Sequence, residues 1–243
     1  MIKNELLLAY KLQSDESSIF EILKNYKLKH FYEFLSNNQS NNLPYHNFYH
    51  AKCMLLNCFE GIWHESFNDK DEHINTPQIR GLLVGALYHD FGHSGGYLSD
   101  SENISIALEG LDDGQIYAES NYSELSKESL LIAKSVIEIT QYPYIKEPQT
   151  IFEKIIRDAD LMQFYEEDSR KILIQYLGLK REVEIQLDKT FTIQEWANGC
   201  KQFQDNSIWY TKWAQDIKDL YAETAKNKLF KLLVESDNLL MVL

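Results

Sequence analysis

Residues 76–93 read Thr76-Pro77-Gln78-Ile79-Arg80-Gly81-Leu82-Leu83-Val84-Gly85-Ala86-Leu87-Tyr88-His89-Asp90-Phe91-Gly92-His93. Proline suits the first turn of a helix, where its missing N–H would have no partner anyway. Ile79, Leu82, Leu83, Ala86 and Leu87 then recur on one stripe at helical spacing, and Gly92, Gly95 and Gly96 break the pattern. The segment predicts a helix that ends close to an adjacent His-Asp pair.

Helical patterns continue on both sides. Upstream, Ser18-Ile19-Phe20-Glu21 has the form of a capping box, and apolar residues follow at Leu23, Tyr26, Phe31, Phe34 and Leu35. A polar break at 36–42 precedes Pro44, and a helical pattern then runs from about Asn47 to Trp63. Downstream, residues 100–110, about 127–141 and 151–166 read as helices, as do stretches near 169–178, 193–204 and 209–235. Val183-Glu184-Ile185-Gln186-Leu187 alternates as a strand does, without an evident partner. With 4 prolines and 10 glycines in 243 residues and no linker-like tract, the expectation is one all-α domain over 1–243.

The charge narrows the partners. A net charge of -13 makes a nucleic-acid backbone or an anionic membrane a poor match. A small anionic substrate remains compatible if bound cations reverse the local field. Cys53, Cys58 and Cys200 form no CxxC pair and read as reduced, mostly buried thiols. No apolar run reaches membrane-span length, and Leu6-Leu7-Leu8-Ala9 is too short for a signal core, so the expectation is a cytoplasmic protein. Oligomeric state is not legible.

Four of the seven histidines fall in Tyr45-His46-Asn47-Phe48-Tyr49-His50 and His89-Asp90-Phe91-Gly92-His93. His46 and His50 are four apart, as are His89 and His93, a spacing that brings side chains together on one helix face. Adjacent residues on a helix point roughly 100° apart. His89 and Asp90 can therefore share a metal only at a helix end or across a groove. A third element, Ile155-Ile156-Arg157-Asp158-Ala159-Asp160-Leu161-Met162, sets two carboxylates inside an apolar helix, where a buried charge needs a cation or donors. The isolated His30, His64 and His73 read as ordinary structural residues.

The order His50, His89-Asp90, Asp160 resembles the HD superfamily of metal-dependent phosphohydrolases. More narrowly, Tyr45-His46-Asn47-x-x-His50, His89-Asp90-x-x-His93-x-Gly95 and Ala159-Asp160-Leu161 look like class I cyclic nucleotide phosphodiesterases, over about 44–162. The resemblance implies an all-α bundle of that type, completed by C-terminal helices over 169–235. It implies two divalent ions: a tight one, usually zinc, on His50, His89, Asp90 and Asp160, and a second, Mg²⁺ or Mn²⁺, bridged through Asp90. His46 would be the general acid, His93 would support the second-metal side, and a hydroxide between the metals would open a 3′,5′-cyclic nucleotide to its 5′-monophosphate.

That family reads its purine with a Gln three residues before a stacking Phe. Here Gln202-Phe203-Gln204, ahead of Trp209 and Trp213, resembles the region, but the position three before Phe203 is Cys200. Phe203, Gln202, Gln204 and Tyr45 are the substrate-binding candidates. The segment between His93 and Ser129 also departs from the family. Two other readings stay open: an HD-type hydrolase of non-cyclic nucleotides or alarmones, and a non-catalytic nucleotide-binding module. The intact ligand set with His46 favours an enzyme, because a binding module has no need of an acid.

Overall fold

A computed structural model describes residues 16–38, 43–68, 74–162, 165 and 169–220, and every regular element among them is an α-helix. They are α1 (16–25), α2 (Lys29–Asn38), α3 (Phe48–Asn68), α4 (Thr76–Tyr88) and α5 (Asp100–Glu119). Then follow α6 (Lys127–Ile139), α7 (Ile151–Met162), α8 (Ser169–Leu187), α9 (Ile193–Asn206) and α10 (212–220). The all-α expectation holds. None of the described helices is long and apolar enough to cross a membrane.

Helix α4 is the centre of the bundle. Asn75 caps it by accepting from Gln78 N while the Gln78 side chain reaches back, and Pro77 sits in its first turn. The stripe expected from the sequence widens into a fully buried second half, in which Gly81, Val84, Gly85 and Tyr88 are enclosed along with the leucines. α6 covers one side, so close that a Cβ on Gly81 would meet Ser129 O and one on Gly85 would meet Val136. α3 packs on another side, and its Met54, Leu55 and Ile62 are all essentially inaccessible. Burying each such side chain contributes about 1.5–3 kcal/mol.

Several boundaries differ from the sequence reading. Ser18 lies inside α1 rather than at its start, and the chain breaks at 26–28, where Lys27 takes a positive φ of 54°. α3 runs past Trp63 to Asn68, and α5 continues to Glu119. The alternating Val183–Leu187 stretch is the last turn of α8, not a strand. Residues 209–235 were expected as one helix, but 207–211 are non-helical and α10 begins at 212. The cause is Asp158 of α7, whose carboxylate accepts from Tyr210 N, Thr211 N and Thr211 Oγ1. Residues 221–235, and His73, lie outside the described residues.

Candidate metal centre

The site forms where the start of α3, the end of α4 and the last turn of α7 meet. Asn47 caps α3, its Oδ1 accepting from Tyr49 N (2.9 Å) and His50 N (3.2 Å), which places His50 in the first turn. His46 therefore lies upstream of the helix, and the two residues do not share a helical face. The second pair behaves likewise. His89 is the C-cap of α4, and His93 follows in a loop turned by Gly92 at φ 68°. Both His-x-x-x-His spacings converge through a helix end and its loop, not along one helix.

The ligand atoms expected from the sequence meet at one place. His50 Nε2 and His89 Nε2 are 3.0 Å apart, and they stand 2.9 and 2.8 Å from Asp90 Oδ2. Asp160 Oδ1 is 3.6 Å from His50 Nε2. A tetrahedral ion with bonds of about 2.0–2.1 Å separates its ligands by about 3.3 Å. His50, His89 and Asp160, whose ligand atoms lie within 4.8 Å of one another, could hold one with Asp90 against both imidazoles. His89 Nδ1 lies 2.9 Å from Ala86 O and donates to it, which leaves Nε2 facing inward. His50 and His89 are buried, whereas Asp160 keeps about a third of its side chain open (30% exposed).

Electrostatics tie the group together. Burial opposes the Asp90 charge, but His89, His46 and hydrogen bonds from His50 and His89 hold its carboxyl well below the usual range. Burial likewise works against a charged His89, yet Asp90 beside it raises the imidazole to about 9. The site therefore gathers acid–base pairs whose protons a cation can replace, and this donor set of two imidazoles and two carboxylates fits a zinc-like ion.

His46 stands just outside. Its Nε2 is 4.0 Å from Asp90 Oδ2, and its Nδ1 is 2.5 Å from Glu182 Oε2. Burial pulls its pKa down, but the Asp90 charge and the Glu182 hydrogen bond outweigh this and raise it above the ordinary value. Glu182 was not among the sequence candidates. It is buried on α8, and its other oxygen accepts from Tyr45 N (2.7 Å) and His46 N (3.1 Å). One turn earlier Gly178 lets α8 approach, because a Cβ there would strike Pro44 O. α8 thus clamps the 44–46 loop, and nothing local marks Glu182, which lies between the helix expected near 169–178 and the alternating 183–187 stretch.

His93 stacks on His46 with ring centroids 3.6 Å apart. Burial and the charge of His46 push it down to about 4, so it is neutral near pH 7. Gly95 N donates to its Nδ1 (3.1 Å), and Asn103 Nδ2 sits 3.1 Å from its Nε2. Asn103 lies in the first turn of α5, where Ser99 caps the helix in a capping box with Glu102. That gives the 99–104 stretch its role, one the sequence did not assign.

The substrate candidates separate. Phe203 lines a cavity of about 220 Å³ with Tyr142, Tyr144 and Tyr210. Arg157 and Leu161 of α7 line it too, so it opens beside the turn that carries Asp160. Arg157 donates to Ile139 O and Lys146 O and lies 3.6 Å under the Tyr144 ring, which fixes the cavity wall. Gln204 is turned into the core, its Nε2 donating to Tyr176 Oη (2.5 Å), while Gln202 is exposed and does not line the cavity. Tyr45 is buried with its ring against His46 and His50, supporting the histidines. The three cysteines are free thiols.

Comparison of the chain with protein-family models, characterised proteins and solved structures gave no match.

Proposed function

We propose that the protein is a metal-dependent phosphohydrolase that opens a 3′,5′-cyclic nucleotide to its 5′-monophosphate. The observation that carries this reading is His46: an imidazole outside the ligand cluster, with one nitrogen toward Asp90 and the other held by a buried carboxylate. Divalent cations on His50, His89, Asp90 and Asp160 would supply a nucleophile at neutral pH and neutralise charge on the phosphoryl oxygens.

The chain's own residues do the rest. Glu182 accepts the Nδ1 proton of His46, which keeps Nε2–H directed at the reacting side. The departing 3′ oxygen would leave as an alkoxide, so it takes that proton as the P–O bond breaks. His93, held neutral, packs the His46 ring in place without competing for the proton. The cavity at Phe203 and Tyr142 offers aromatic faces for a base.

One observation favours the second reading, a hydrolase of non-cyclic nucleotides. Neither glutamine flanking Phe203 faces the cavity, so the family's way of reading a purine is missing. A substrate panel on purified protein with Mn²⁺, Mg²⁺ or Zn²⁺ separates the two. The proposal expects 5′-monophosphate from cyclic nucleotides. Release of phosphate from monophosphates or triphosphates, with cyclic nucleotides untouched, would replace it with the second reading.

A further inference from the structure

We propose that His46, His93 and Glu182 form a second, weaker zinc site, and that filling it disables the acid at His46. The inhibitory half rests on the function proposed above, whereas the occupancy does not.

One ligand atom from each of the three side chains lies within 4.8 Å of the others, in a group distinct from His50, His89 and Asp160. Glu182 Oε2 is 2.5 Å from His46 Nδ1 and 4.0 Å from His93 Nδ1. Tetrahedral zinc, with bonds of about 2.0–2.1 Å, needs these separations near 3.3 Å. One must open and the other close, each by roughly 0.8 Å on that geometry. The set is enclosed, with side-chain exposures of 18%, 8% and 3% for His46, His93 and Glu182. No lysine or arginine pairs with Glu182 among the described residues. Two nitrogens and one oxygen suit zinc, whereas Mg²⁺ prefers oxygen ligands and keeps its waters.

Binding has a definite balance. Zinc takes the lone pair of His46 Nδ1 and releases the proton shared with Glu182. It also displaces Gly95 N–H from His93 Nδ1, a hydrogen bond of 3.1 Å, which makes this site weaker than the first. His46 Nε2–H then belongs to a metal-bound neutral imidazole, a weaker acid than imidazolium. Turnover should rise while the first site fills and fall as this one does.

The test is equilibrium dialysis of the full chain against rising Zn²⁺ with Mg²⁺ in excess, read by metal analysis, with turnover followed in parallel. Wild type should take up one zinc tightly and another at higher concentration. His93→Asn should keep the tight equivalent, which also shows that it is folded, and lose the weaker one. Asp160→Asn should weaken the tight equivalent and retain the weaker. Persistence of the weaker zinc in His93→Asn, or its absence from wild type, overturns the site. A filled weaker site with undiminished turnover overturns the inhibition. Absence of any cyclic-nucleotide turnover would count against the proposed function, while the metal counts still judge the site.

Discussion

His46 and Glu182 form the pair on which the proposed chemistry turns. His46→Asn should leave the fold and the tightly bound metal intact, since the residue lies outside the group of His50, His89, Asp90 and Asp160. Turnover of a cyclic nucleotide should fall by roughly 10²–10⁴, the usual contribution of a positioned acid. An aryl phosphodiester, whose phenolate leaves without a proton, should be much less affected; equal losses on both substrates would remove His46 from the acid role. Glu182 makes a separate mark on the pH profile. Its hydrogen bond raises the His46 pKa, and an acid must be protonated to act, so rate is lost as pH rises through that pKa. Glu182→Gln should therefore move the alkaline limb of kcat/KM to lower pH. An unmoved limb would leave Glu182 a merely structural clamp.

At the level of elements, the bundle depends on how closely α4 and α6 approach. Gly85→Ala would press a methyl against Val136 and the backbone of Ala133, with Ala133 O 3.0 Å away. Overpacking of this kind costs about 1–3 kcal/mol, more than the roughly 1 kcal/mol that alanine returns in helix propensity. Gly199 in α9 is the matched control, because a Cβ there meets nothing within 4 Å. Gly199→Ala should stabilise by up to about 1 kcal/mol. Urea unfolding of both variants compares them, and a neutral Gly85→Ala would mean that α6 can shift away. At the junction of α7 with α10, Asp158 accepts from Tyr210 N, Thr211 N and Thr211 Oγ1. Its loss in Asp158→Ala leaves enclosed N–H donors unmet and should cost about 1–3 kcal/mol in the same assay.

Across the whole molecule, the candidate ligands come to one point from three helices that are distant in sequence. Removing a bound ion would leave Asp90 and Asp160 beside two buried imidazoles with only protons to balance them. An ion that binds the folded chain and not the unfolded one stabilises it by mass action. Chelation should therefore lower the melting temperature of the metal-loaded protein, and restoring zinc should recover it. A melting curve unchanged after verified metal removal would show that the helices pack without help from the site.

The sequence by itself determined the helical class and singled out the candidate ligands. Helical periodicity is local, and the chemistry of His50, His89, Asp90 and Asp160 belongs to the residue types themselves, so both survive without knowledge of packing. Tertiary structure decided the rest. Glu182 lies 136 residues from His46, and only the docking of α8 against Pro44 makes it that imidazole's partner. Gln204 and Gln202 looked alike as base readers until α9 turned one toward Tyr176 and left the other in solvent. Short-range pattern fixes what a residue can do, but which neighbour it meets depends on contacts that form only when distant helices close over one another.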